Sequence, residues 1–235
     1  MKTNCTNLPT LSFANHIHPV VPRYFGAITA LTTLLSSSLH ADVITPVNVT
    51  ASSFYSAGVP DERAPIHTID GSGLNGSGEH SSFPNSQMWL SNGEVTPTIT
   101  WDLGSFYDLT SFHLWNYNEN TIFGNLLSRG VQTADVQVSQ TSSFAPGTYT
   151  DLGIYTFLPA DGLNTYTGQD NIPLAASNVE FVRFNVQSNY GASGYTGLSE
   201  IRFTSTPEPS AFALLTTIGT LLIGLRQRKS TAKLP

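Results

Sequence analysis

The chain has 235 residues, 11% of them charged and 40% hydrophobic, with a formal net charge of −6. That length holds one domain of ordinary size once terminal targeting segments are set aside, and the wealth of Ser, Thr, Asn and Gly suits an exported β-domain better than a helical cytosolic enzyme. Residues 42–205 carry 15 Asp or Glu against Arg63, Arg129, Arg183 and Arg202, a balance of −11 that repels phosphate backbones and argues against nucleic acid as a partner.

Lys2 and Arg23 precede an apolar run, Tyr24 to Leu35, which is followed by small residues and Leu39-His40-Ala41. Positive charge, then an apolar stretch, then a small residue at a cut site is the order of a secretory signal, so residues 1–41 are expected to be a signal peptide with a helical apolar segment. Cys5 is the only cysteine and lies ahead of that cut. The mature protein therefore makes no internal disulfide and must stand on its packed core, unless a metal assists it.

From about Val43 to Thr204 the pattern is of short strands with turn chemistry between them. Strands are expected at Thr98–Leu103, Leu109–Trp115, Ala134–Ser139, Val179–Val186 and Leu198–Phe203. Asp70-Gly71, Asn92-Gly93, Pro146-Gly147 and Asp161-Gly162 are turn signals in which glycine supplies a positive φ. No stretch sustains a helical period, and many short strands in one domain predict an all-β sandwich or barrel over 42–205. Trp89, Trp101 and Trp115 lie in or beside these strand patterns and read as core.

After Phe203 the composition changes. Pro207-Glu208-Pro209 cannot continue a strand, and it leads into an apolar run, Ala211 to Leu225, ended by Arg226-Gln227-Arg228-Lys229. The run is shorter than the roughly 20 residues of a comfortable bilayer span, so it would cross marginally as a helix with its basic end on the cytoplasmic side. Residues 206–235 resemble the PEP-CTERM sorting tail of bacteria, carried by Pro207, Glu208 and Pro209, the apolar stretch, and the cluster Arg226, Arg228 and Lys229. The resemblance implies an exosortase-type partner, transient anchoring in the inner membrane and delivery to the cell envelope or outside. A plain C-terminal anchor is the alternative.

The middle of the chain resembles the discoidin, or coagulation-factor C-type, domain. The carrying segments, in family order, are Ala51-Ser52-Ser53, Ile66 to Gly71, Met88-Trp89, Thr98 to Gly104, Val182-Arg183-Phe184 and Thr196 to Phe203. That resemblance implies a galactose-binding-like β-sandwich of jelly-roll type. It also implies a calcium ion held near one end by the carboxylate of the Asp-Gly loop and by a glutamate opening the last strand, here Asp70 and Glu200. The chain departs from the family in having Ser72 where relatives carry a second Asp, and in a Gly/Ser-rich insertion, Gly73 to Asn85. In the alternative, Asp70 caps its turn and Glu200 pairs with an arginine such as Arg202 or Arg63.

No catalytic motif stands out: there is no Gly-x-Ser-x-Gly elbow, no His-Glu-x-x-His, no phosphate-cradling loop and no cysteine in the mature chain. Sugars are recognised by stacking on aromatic rings with amides, carboxylates and arginines around the rim. Two segments supply those types. One is Trp115 to Asn120, with Asn118 and Glu119; the other is Ser188 to Tyr195, with Tyr190 and Tyr195 on a Gly-rich loop. Arg129 joins them as a rim residue, and is equally placed to pair with Glu119. The reading is an exported binding module without catalytic activity, whose partner is a glycan or exopolysaccharide. Its rivals are a structural component of an extracellular matrix or biofilm and a polysaccharide-cleaving enzyme, whose two carboxylates would meet only in the fold.

Overall fold

The computed structural model describes residues Ala41–Thr206 with the exception of Phe123. The signal peptide and the sorting tail expected from the sequence lie outside the described residues. Among the described residues no helix is long and apolar enough to cross a membrane.

The expected all-β sandwich is present. Its strands are β1 (Val43–Ile44), β2 (Asn48–Ala51), β3 (Trp89–Leu90), β4 (Thr98–Asn116), β5 (Asn120–Thr121), β6 (Gly124–Asn125), β7 (Val131–Ser139), β8 (Tyr149–Thr156), β9 (Gln169–Asn189) and β10 (Gly197–Ser205). All pairings between them are antiparallel. The strands expected at 98–103 and 109–115 are one continuous strand, and the strand expected at 179–186 is the second half of the longer β9. Both β4 and β9 serve two layers. The first half of β4 pairs with β2 and with residues 181–185 of β9, which continue to β7 and β8. The second half of β4 pairs with β10 and with residues 169–176 of β9, and β10 carries β1 and β3.

A strand can pass between layers only by bending, and β-bulges provide the bend. The β4–β9 register shifts between Asp102 and Tyr107 and again between Tyr107 and Leu109. Gly104 (φ 78°) and Asn178 (φ 56°) take up left-handed backbone there, which asparagine tolerates better than most side chains. Asp102 Oδ1 accepts from Gly104 N–H at 2.8 Å, and Asp108 Oδ1 accepts from Asn178 N–H at 2.8 Å, so the bend is pinned by carboxylates. Each turn signal read from the sequence has its glycine at positive φ, between 70° and 88°.

Alternate residues along each strand face inward. Trp101 and Phe184 from one layer meet Phe112 and Phe203 from the other: Trp101–Phe184 ring centroids are 4.8 Å apart, Phe112–Phe184 5.7 Å, Trp101–Phe203 6.2 Å and Phe112–Phe203 6.1 Å. All four side chains are fully buried. The three tryptophans are core residues, and each finds an acceptor for its indole N–H: Trp89 on the Ser53 carbonyl, Trp101 on Thr68 Oγ1 and Trp115 on the Gly78 carbonyl. That satisfies the one polar group each buries.

The start of β10 has no room for a side chain. A Cβ on Gly197 would lie 2.4 Å from the Tyr117 ring and 2.6 Å from the Trp89 carbonyl oxygen. The backbone atom cannot yield as a flexible side chain would. Gly197→Ala is expected to destabilise the protein by about 1–3 kcal/mol, the cost of overpacking, and thermal denaturation should show Tm falling by about 2–4 °C per kcal/mol. An unchanged Tm would contradict this packing.

Candidate ligand-binding end of the sandwich

Segments of irregular backbone gather beyond the ends of β4, β9 and β10, and backbone groups there have no ladder to join. Buried amide side chains supply their partners. Asn116 accepts from the N–H groups of Tyr117 and Val131, both at 2.9 Å, and donates to the carbonyls of Val131 and Leu158, both at 2.8 Å. Asn118 donates to the carbonyls of His80, Ser81 and Leu163 and accepts from Gly162 N–H. Asn189 donates to the carbonyls of Ala192 and Tyr195 and to Thr196 Oγ1, and accepts from Gly191 N–H. Asn118, expected at the rim, is thus fully buried and spends its amide on three loops.

Of the expected binding residues, Glu119, Arg129 and Tyr195 come together. Glu119 Oε2 accepts from Arg129 Nη1 at 3.0 Å and from the Tyr117 hydroxyl at 2.5 Å, and Arg63 Nη1 stands 3.8 Å away. Arg63 in turn donates to the Tyr117 hydroxyl at 3.1 Å and to Asn85 Oδ1 at 2.8 Å. Burial holds the Tyr117 phenol well above its usual range, so it acts as a neutral hydroxyl between charges. The Arg129 guanidinium lies over the Tyr195 ring at 5.2 Å, and Tyr55 meets that ring edge-on at 5.9 Å. Beneath them Met88, Leu90 and Tyr117 form a small apolar cluster against which Tyr55 and Tyr195 pack.

The hydrogen-bonding capacity left over defines what this end can do. Among the described residues, Glu119 Oε1, Arg129 Nε and Nη2, and the hydroxyls of Tyr55 and Tyr195 have no hydrogen-bond partner. An acceptor, a set of donors and half-buried aromatic rings are thus uncommitted within one cluster of touching side chains, and these are the group types that sugar recognition uses. Tyr190 is used differently. Its hydroxyl donates to the Phe157 carbonyl, and burial raises its pKa. Arg63, Tyr117 and Tyr55 complete this cluster, and the sequence pattern singles out none of them: Tyr117 lies in the Trp115–Asn120 segment, and Arg63 reads from sequence as a partner for Glu200.

Asp70 and Glu200 do lie at one place, joined by Gly71, whose N–H donates to Glu200 Oε2 at 3.2 Å. Asp70 Oδ1 accepts from Ser72 N–H at 2.9 Å, and Oδ2 pairs with His67 Nδ1 at 2.8 Å. Those bonds outweigh burial and hold Asp70 below, and His67 above, their ordinary values. Glu200 is fully buried and forms an ion pair with Arg202. Calcium takes about six to eight oxygen ligands. Here a guanidinium already stands against Glu200, and among the described residues no group of three or more His, Cys, Asp or Glu is placed to hold a metal. As arranged, the residues do not fit a calcium ion.

Two other surfaces carry less. On the outer face of the β8–β7–β9 layer, Arg183 lies 4.1 Å over Phe144 and 5.7 Å from Tyr149. Its Nε and Nη2 are both committed to Gln137 Oε1, which leaves the guanidinium little to offer. A groove of about 400 Å³ between the β7–β8 hairpin and the bend of β9 includes Tyr149 and Asn178 but no charged side chain to orient a ligand.

No protein-family profile and no curated protein sequence matches the chain. Solved structures similar to it include the family 32 CBM from C. perfringens NanJ in complex with galactose, at 13% identity and TM-score 0.44 over 71% of this chain and 100% of that one. The F5/8 type C domain of a Bacteroides fragilis protein is similar at 16% identity and TM-score 0.45, over 73% and 99%. Chitosan-binding module 2 of a chitosanase/glucanase from Paenibacillus sp. IK-5, in complex with chitotriose, is similar at 22% identity and TM-score 0.45, over 68% and 96%.

Glu200 gives this end a measurable pH signature. Burial pushes its pKa up to about 7 from an ordinary 4.5, with Arg202 opposing the rise and Asp70 adding to it. The folded protein holds this proton more tightly than the unfolded chain does. The associated stability, on the order of 3 kcal/mol, is complete below about pH 4.5 and is lost as pH rises through about 7. His67 slopes the same way, so the variant difference is the informative quantity. Glu200→Gln mimics the protonated acid, and its Tm relative to the unaltered protein should climb between pH 5 and pH 8. A pH-independent difference would show that Glu200 is ionised throughout.

Proposed function

We propose that the protein is an exported glycan-binding module that takes its ligand at the Glu119–Arg129–Tyr195 end of the sandwich. The observation that carries this reading is the set of unpaired groups around Tyr195: donors on Arg129, an acceptor on Glu119 and phenol hydroxyls on two packed rings. Hydroxyl-rich ligands need donors and acceptors at fixed angles, and the asparagine-held loops provide them without ordering anything at the moment of binding. Most glycoside hydrolases use a pair of carboxylates; the cluster at this end pairs Glu119 with Arg63 and Arg129. Export and exosortase sorting rest on the terminal sequence patterns.

A glycan array probed with the purified chain tests the reading. Saturable binding to one glycan group, weakened about tenfold or more in Tyr195→Ala at a temperature well below that variant's Tm, is the expected result. Silence across the array would favour a matrix component without a discrete ligand. Release of new reducing ends from a polysaccharide panel would make the protein an enzyme.

A further inference from the structure

The charges at this end do not balance. Within residues 42–205 arginines are scarce, four against 15 acids, yet Arg63 and Arg129 are both directed at the same oxygen of Glu119, at 3.8 and 3.0 Å. Tyr117 adds no charge, and among the described residues neither arginine pairs with any other carboxylate. Two guanidiniums thus share one carboxylate, and among these three side chains one positive charge is left over, in a domain otherwise strongly negative. Its location is narrow. Arg63 is nine-tenths buried, and its Nε is buried without a hydrogen-bond partner among the described residues. Arg129 is the more exposed of the two, and its Nε and Nη2 edge is uncommitted.

We infer, resting on the glycan-binding reading above, that the preferred ligand is an acidic sugar whose carboxylate is taken by the open edge of Arg129. A guanidinium edge presents two parallel N–H donors at the spacing of a carboxylate's oxygens, giving a bidentate, charge-assisted pair. The leftover charge makes that pair favourable where a neutral sugar would leave it uncompensated. The Tyr195 ring, 5.2 Å from the guanidinium carbon, and Glu119, which accepts from Nη1 at 3.0 Å, both restrain Arg129. Discrimination is built by the local pair against the long-range repulsion of the acidic domain, so it belongs to a specific contact and not to bulk charge.

The test uses tri-galacturonate, tri-glucuronate and tri-mannuronate, each beside its carboxyl-reduced neutral counterpart, with calorimetric titration of the purified chain. At least one acid should bind about tenfold or more tightly than its reduced partner. In Arg129→Gln both affinities should fall, the acid's by about tenfold more than the neutral sugar's, so that the preference vanishes. Arg129→Lys, which keeps the charge and loses the fork, should retain only part of the preference and guards against a folding defect in the first variant. Equal affinity for acid and reduced sugar overturns this inference alone and leaves glycan binding standing. Binding of neither, with another glycan group bound on the array, also overturns this inference alone; binding of neither with a silent array overturns both.

Discussion

The loop end of the sandwich depends on side-chain amides standing in for a β-ladder. Where β4 and β9 run out, the chain must cross the open end of two layers, and its peptide groups are buried there without strand neighbours. Leaving one such group unpaired costs about 1–3 kcal/mol. Asn116, Asn118 and Asn189 remove that cost at many groups at once, because each amide both donates and accepts. These bonds help place Glu119, Arg129 and Tyr195: Asn118, the residue before Glu119, is itself clamped to three loops, Asn116 fixes Val131 two residues past Arg129, and Asn189 holds the Tyr195 carbonyl.

Onto that frame is set a charge network that is nearly dry. Burying a carboxylate and a guanidinium together carries a desolvation penalty that close pairing and added hydrogen bonds must offset. Glu119 meets the condition with a phenol hydroxyl and an arginine on one oxygen. At the other carboxylate cluster the same physics is solved internally. Arg202 supplies the positive charge beside Glu200 that a metal would otherwise bring, and Gly71 ties the Asp-Gly turn to β10 through a backbone bond across the fold. The two clusters differ in how they are partnered: Glu200 is held by one backbone N–H and the Arg202 guanidinium, and the Glu119 cluster keeps several donors and an acceptor uncommitted.

Much of the sandwich is legible in the sequence because its signals are local. Alternation marks β4, β7, β9 and β10, and glycine after Asp, Asn or Pro marks the turns. The strands β1, β2 and β3 are missing from that reading because two to four residues carry too little alternation, and β8 (Tyr149–Thr156) because its faces are both partly exposed. Continuity of β4 across Gly104 is invisible for a different reason: a bulge interrupts the pattern without ending the strand. The site was half legible. Glu119, Arg129 and Tyr195 stand out by chemical type, but nothing local to Arg63 reveals a partner 56 residues onward at Glu119, and an asparagine in a polar loop looks the same whether it faces solvent or clamps three carbonyls. Asp70 and Glu200 are linked through the Gly71 N–H, while the ion pair of Glu200 with Arg202 depends on a rotamer that no sequence pattern specifies.

The proposed ligand site is the loop end and not the outer face of the sheet, where Arg183, Phe144 and Tyr149 form the competing aromatic cluster. Mapping amide chemical-shift changes by NMR while a bound glycan is titrated distinguishes the two directly. Shifts are expected to concentrate at Tyr55, Glu119, Arg129 and residues 189–196, with the amides around Arg183 unmoved. Shifts confined to residues 135–151 and 181–185 would place the ligand on the sheet face and contradict the proposed site.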